Sequence, residues 1–186
     1  MCGIAGMVGT GASERVRSMT DALVHRGPDD GGYYDDPPSH LCLGMRRLSI
    51  LDLEHGHQPM ANRDQSVWIV YNGEIFNSPE LRRQLEQRQH RFVTANSDTE
   101  TLLNLYDEKQ ENMLADLNGM FAFVLHDRKR NLLFGARDRL GIKPLYYART
   151  PAAFGFASEL KSQLRMSGLT RALDENSFSH YLTLRF

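Results

Sequence analysis

Residues 1–6 read Met-Cys-Gly-Ile-Ala-Gly. A cysteine directly after the initiator methionine becomes the first residue when Met1 is removed, and its small side chain permits that removal. Cys2 would then carry both a thiol and a free α-amine. The amine, with an unperturbed pKa of ~7.7–8.0, can accept the thiol proton near neutral pH. An N-terminal threonine nucleophile works the same way. Gly3 and Gly6 let backbone or substrate approach closely. The competing reading of these six residues is a strand edge in which Cys2 is a small buried hydrophobe.

Four further groups could do chemistry. Arg46 and Arg47 are adjacent at the end of an apolar run, so on a strand one points to each face. An inward arginine needs an anion, and a substrate carboxylate suits a bidentate guanidinium. Asn72-Gly73-Glu74 follows the run Ser66–Tyr71. Asn-Gly reads first as a hairpin turn. At a strand end, an asparagine amide and a glycine N–H can also form an oxyanion hole. Asp98 sits where a first-turn acid would favour a helix dipole, or where a substrate ammonium could bind. Arg26 and Asp29 lie in His25-Arg26-Gly27-Pro28-Asp29-Asp30-Gly31-Gly32, read as a charged loop or a lid over a site.

The elements that must position these groups are legible in outline. Strands are expected over 2–8, 40–47, 66–71, 91–94, 120–126, 131–137, 144–149 and 153–157. Helices are expected over about 14–24 with Ser13 as N-cap, and from Ser78-Pro79 onward. Ser97-Asp98-Thr99-Glu100 matches a capping box opening a helix to about 108. A short helix near 111–117 ends at Asn118-Gly119, Ser158-Glu159 starts another, and Asp174 caps a last one over about 175–183. Strands in hairpin order with segregated helices point to an α+β fold with antiparallel sheets. Several strands are apolar on both faces, so each sheet should be covered twice.

The 186 residues are 41% hydrophobic and 24% charged with a net charge of −1, which gives no electrostatic case for nucleic acid or an anionic membrane. Two cysteines, Cys2 and Cys42, make neither a disulfide framework nor a zinc spacing. No apolar run approaches the ~20 residues of a membrane span, and the short apolar start without a basic lead-in is not expected to be a signal peptide. A reducing cytoplasm is the expected home.

In order, the chain carries CGIAG, HRGPD, RRLSILD, QPM, NGEIFN, SDTE, GMFAF, RDRLGIKPLYY and FASELKS. This set resembles a class II glutamine amidotransferase domain of the N-terminal nucleophile hydrolase superfamily. More narrowly, it resembles the glutaminase half of glutamine-hydrolysing asparagine synthetase. One departure is Phe76, where that family usually places tyrosine.

The resemblance implies a four-layer αββα sandwich of two mainly antiparallel sheets. It implies hydrolysis of L-glutamine to L-glutamate and ammonia through a thioester on Cys2, with Asn72 and Gly73 as oxyanion donors. Glutamine would be bound by Arg47, the Leu48, Ser49, Ile50 and Leu51 backbone, Asn72, Gly73, Glu74 and Asp98. Arg47 would take the α-carboxylate. Asp98, with Glu74 or backbone carbonyls, would take the α-ammonium.

One domain is expected over 1–186, with 173–186 starting the connection to a synthetase domain absent from this sequence. ATP and magnesium belong to that domain, so no cofactor or metal is expected here. The partner is an ATP-dependent synthetase domain or subunit making asparagine from aspartate. The tail and the 137–147 loop, with Arg137, Asp138 and Lys143, are the expected docking face, and a homodimer is left open. Alternatives are an amidotransferase serving a sugar, peptide or surface precursor, and a catalytically silent binding domain.

Overall fold

On the central strands both alternating sets of side chains are apolar, so each sheet needs cover on two sides. The computed structural model describes residues 1–48 and 56–184 and meets that need with four layers. In chain order its elements are β1 (Gly3–Gly9), α1 (Ala12–Asp21), β2 (Asp30–Asp36), β3 (Leu41–Arg47), β4 (Met60–Ala61), β5 (Val67–Ile75), α2 (Ser78–Gln87), α3 (Asp98–Lys109), β6 (Gly119–Asp127), β7 (Leu132–Arg137), β8 (Tyr146–Arg149), β9 (Ala153–Ala157), α4 (Leu160–Gln163) and α5 (Glu175–Leu184). One sheet has the order β2-β3-β1-β9-β8 and the other β4-β5-β6-β7. Their pairings are antiparallel.

Three apolar clusters fill the three spaces between layers. Ala5, Met7 and Cys42 of the first sheet pack on Val16 and Met19 of α1. Ile4, Leu43 and Met45 meet Val70, Ala122 and Val124 between the sheets. Ile69, Tyr71, Phe121 and Phe123 pack on α3 through Leu102, Leu103 and Tyr106. Alternation along each strand assigns every residue to one space or the next. Among the described residues no helix is long and apolar enough to cross a membrane.

The structure corrects several local expectations. β5 does not stop at Asn72-Gly73: the ladder continues through Asn72↔Ala122 and Gly73↔Phe121 to Ile75↔Gly119. The hairpin turn is therefore excluded. Gly73 answers to close packing instead, since a Cβ there would come 2.4 Å from the Met120 carbonyl oxygen. The supposed loop after Arg26 becomes β2 at Asp30. A Cβ on Gly32 would meet the Gln58 carbonyl at 2.1 Å, so this glycine too serves an approach rather than a turn.

Residues 91–94 form no strand. The Glu100 carboxylate accepts the Val93 and Thr94 N–H groups at 2.7 and 2.8 Å and folds them back on α3. That occupies the glutamate expected to close a capping box, and the Ser97 N–H donates to Thr94 Oγ1 at 3.2 Å instead. Ser13 is no N-cap: Gly11 at φ 75° precedes α1, and Ser13 Oγ donates to Asp35. The 111–117 helix is a 3-10 segment over Gln110–Ala115, and Gly119 opens β6 rather than capping it. Ser78 is the first residue of α2 rather than its cap, and α4 starts at Leu160. Asp174 does cap α5, its Oδ1 accepting the Ser177 N–H at 2.6 Å.

Candidate active site

Alternation along three strands brings three functional side chains toward the space between the sheets. Immediately before β1, Cys2 shares the face of Ile4 and packs against the inter-sheet cluster. On β3, Arg47 follows Leu43 and Met45 on the inward face and is 7% exposed. On β5, Asn72 follows Val70 and is 2% exposed. A fourth group comes from a helix start. Asp98, in the first turn of α3, accepts the Tyr71 hydroxyl at 2.6 Å and the Ile75 N–H at 3.2 Å on the same oxygen.

These residues line one cavity of about 210 Å³, together with Leu48, Gly73 and Glu74. That is smaller than the ~300–1,000 Å³ of sites for drug-sized ligands. Cys2 Sγ lies 4.0 Å from the Leu48 carbonyl oxygen. Asn72 Nδ2 is buried and has no hydrogen-bond partner among the described residues. Buried polar groups are nearly always paired, so an orphaned amide donor on a cavity wall calls for an explanation.

The electrostatics follow from burial. Burial raises the Asp98 pKa, and the hydrogen bonds from Tyr71 and the backbone N–H groups of Ile75 and Thr99 only partly oppose it. The Tyr71 hydroxyl is pushed well above its ordinary value by burial, then by the neighbouring Asp98 charge and hydrogen bond. Tyr71 thus stays a neutral donor. Cys42 is 0% exposed on the α1 face of β3, and burial, with Asp35, pushes its thiol up. A thiol held protonated and away from the cavity is chemically inert.

Cys2, Arg47, Leu48, Asn72, Gly73, Glu74 and Asp98 are brought together. Ser49, Ile50 and Leu51 lie outside the described residues. Arg46 points to the other face of β3, where Nη2 donates to Asp21 of α1 at 2.7 Å. Phe76 is 55% exposed and does not line the cavity, so its departure from tyrosine leaves the cavity wall unchanged.

The 137–147 loop, expected as part of a docking face, is ordered by its own side chains. Asp138 accepts the N–H groups of Leu140, Ile142 and Lys143, and Arg137 Nε donates to the Lys143 carbonyl at 2.7 Å. Both residues tie the loop to itself. Lys143 is 8% exposed and lines the cavity. Sequence reasoning also missed Tyr71 and Gln58. The Gln58 amide bridges the Tyr71 N–H (2.7 Å, through Oε1) and Thr99 Oγ1 (3.2 Å, through Nε2). Its position in the QPM motif was the only signal, whereas strand alternation could have set Tyr71 opposite Asn72.

The two stacked antiparallel sheets between helical layers, with a cysteine at the end of the first strand, define a fold of the N-terminal nucleophile hydrolase type. Solved structures share it. The glutamine phosphoribosylpyrophosphate amidotransferase of B. subtilis superposes with a TM-score of 0.71 at 22% identity, over 87% of this chain and 42% of that one. A structure described as the allosteric regulatory enzyme of purine biosynthesis gives 0.73 at 22% identity, over 88% and 43%.

The family can be stated more narrowly. The family model for the glutamine amidotransferase domain matches residues 1–186, and the chain belongs to that family. Asparagine synthetase [glutamine-hydrolyzing] 1 of Bacillus subtilis (strain 168) is 40% identical over 193 residues, covering 100% of this chain and 30% of that protein. Asparagine synthetase [glutamine-hydrolyzing] 3 of the same organism is 41% identical over 191 residues, covering 99% and 31%. The chain therefore spans about a third of the length of these relatives.

Proposed function

We propose that this chain hydrolyses L-glutamine to L-glutamate and ammonia, with Cys2 as the nucleophile and first residue after removal of Met1. The observation that carries the reading is the orphaned Nδ2 of Asn72, a buried donor on the wall of the cavity that Cys2 also lines.

The α-amine of Cys2 takes the thiol proton, and the sulfur attacks the amide carbon of glutamine. The carbonyl oxygen gains negative charge, which Asn72 Nδ2 and the Gly73 N–H would hold. Collapse of this intermediate breaks the C–N bond. The α-ammonium returns its proton to the leaving nitrogen, which departs as ammonia. Water then attacks the γ-glutamyl thioester, releasing glutamate and restoring the thiol. Arg47 would pair with the substrate α-carboxylate. Asp98, with Glu74 at the cavity edge, would hold the α-ammonium. This route needs no cofactor.

The ammonia is best spent on amide synthesis, and we assign it to asparagine formation from aspartate. An ATP-dependent synthetase domain or subunit would carry that step. Support comes from the relatives, which are glutamine-hydrolysing asparagine synthetases of about three times the length.

The test is a glutamine assay on purified chain with its N-terminus checked by mass spectrometry. Equimolar glutamate and ammonia are expected. Cys2→Ala should abolish both products without unfolding the protein, and Cys42→Ala should keep turnover largely intact. A Cys2→Ala protein that turns over glutamine normally would overturn the assignment.

A further inference from the structure

Two of the motifs, HRGPD and FASELKS, contribute nothing to the cavity wall, yet the fold brings them together at the nucleophile. Arg26 Nε donates to the backbone carbonyl of Cys2 at 2.9 Å. The same guanidinium donates through Nη1 to Glu159 Oε1 at 2.9 Å, across 133 residues of sequence. The Arg26 side chain is 9% exposed and that of Glu159 24%. His25 Nε2 lies 2.9 Å from Glu159 Oε1, and Lys161 Nζ lies 3.3 Å from Oε2.

The position of this ion pair meets a specific weakness of the strand. β1 pairs with β9 only from Ala5↔Ala157 onward, and with β3 from Gly3↔Arg46 onward. Cys2 lies beyond both ladders. Ser158 extends the hold by one step, its Oγ accepting the Ile4 N–H and its own N–H donating to the Ile4 carbonyl, both at 2.9 Å. Past that point Arg26 takes over. The turn that carries it is seated directly on β3: a Cβ on Gly27 would lie 2.4 Å from the Arg46 carbonyl carbon and 2.5 Å from the Arg47 nitrogen. The clamp is thus anchored to the strand end that supplies Arg47.

We propose that Arg26 and Glu159 form an ionic clamp that fixes the Cys2 peptide and so aims its thiol into the cavity. They are positioning residues, acting through Cys2. The proposal rests on Cys2 being the nucleophile. A terminal residue needs such a device, because its peptide is held from one side only. A misplacement of about 1 Å can cost roughly 100-fold in rate.

The test compares Arg26→Gln, Glu159→Gln, the double variant and Arg26→Lys by glutamine turnover and by hydrogen exchange at the backbone amides of Gly3 and Ile4. The exchange readout needs no substrate. Arg26→Gln should lower kcat by about 100-fold and leave KM within several-fold, because the carboxylate and ammonium contacts are untouched. Glu159→Gln should behave alike, and the double variant should be no worse than Arg26→Gln, as expected of one unit. Arg26→Lys should recover part of kcat.

Exchange at Gly3 and Ile4 should quicken in Arg26→Gln, while that at Leu43 and Phe123 stays as in the wild type. Quickened exchange everywhere would mark a merely structural residue and overturn the proposal. A raised KM with normal kcat would make Arg26 a substrate ligand and equally overturn it. If the wild type shows no glutamine turnover, the proposed function fails. The clamp is then judged by exchange alone, and unchanged exchange at Gly3 and Ile4 refutes it.

Discussion

The Tyr71 hydroxyl donates a 2.6 Å hydrogen bond to Oδ2 of Asp98, joining the middle of a strand to the first turn of a helix. Burial raises the Asp98 pKa and this bond opposes the rise. Only the ionised carboxylate can pair with a substrate ammonium. Affinity for glutamine should therefore fall on the acid side, beginning above the ordinary carboxylate value of 3.8. Tyr71→Phe removes a donor that favours the charged form, so the folded pKa rises further. The expected outcome is an acid limb of kcat/KM displaced to higher pH in Tyr71→Phe. An identical limb in both proteins would assign it to another group.

Arg47 is buried and lines the cavity, on the face of β3 opposite Arg46. Truncating one side of a buried charge pair costs ~2–5 kcal/mol, so Arg47→Ala should raise the glutamine KM by roughly 30-fold or more. The effect on kcat should be smaller, since the α-carboxylate does not change charge during the reaction. Arg46→Ala, which breaks the contact with Asp21, should leave KM near the wild-type value. Equal KM values for wild type and Arg47→Ala would remove Arg47 from carboxylate recognition.

The layered architecture was legible because apolar residues at both alternating positions of β1, β3, β5 and β6 demand double cover. The strand ends were less legible where glycine was involved. Gly32 and Gly73 read as turn residues, yet both sit in strands where another backbone passes too close for a Cβ. Such an approach is a tertiary fact with no local signature. Residues 91–94 failed for a related reason, since their alternation was overruled by the carboxylate of Glu100. At the site, residue type marked Cys2, the Arg46-Arg47 pair, Asn72-Gly73 and Asp98 as candidates, while the choice of Arg47 over Arg46 and of Asn72 as more than a turn came from the family resemblance. Gln58 and Lys143 enter the cavity through loops, where parity says nothing.

Glu159 gives a stability prediction with a defined sign. Burial opposes its ionisation, but hydrogen bonds from Arg26, His25 and Lys161 outweigh burial and hold the pKa down to about 2, against 4.5 for a free glutamate. A depressed carboxylate stabilises the fold above its unfolded pKa and loses that contribution as pH falls through the folded value. The stability difference between wild type and Glu159→Gln should thus be full above pH ~4.5 and shrink toward pH ~2. Denaturant unfolding of both proteins across this window measures it. A difference independent of pH would show that the carboxylate is not charged in the ion pair.

Asn72 carries the most direct prediction. Its Nδ2 makes no hydrogen bond within the described residues, so removing that nitrogen deletes no such contact from the fold. A purely structural asparagine in the middle of a strand would behave otherwise, because its loss would leave partners unpaired. In thioester formation the amide oxygen becomes anionic, and a preorganised donor stabilises that charge more than it stabilises the neutral substrate. Loss of one such donor costs roughly 10²–10³ in kcat. Asn72→Ala is therefore expected to stay folded, to bind glutamine within several-fold of wild type, and to lose turnover on that scale. Asn72→Asp is expected to be at least as slow, because it sets a carboxylate against the developing charge. A folded Asn72→Ala protein with near-normal turnover would end the oxyanion role and leave the orphaned amide without a function.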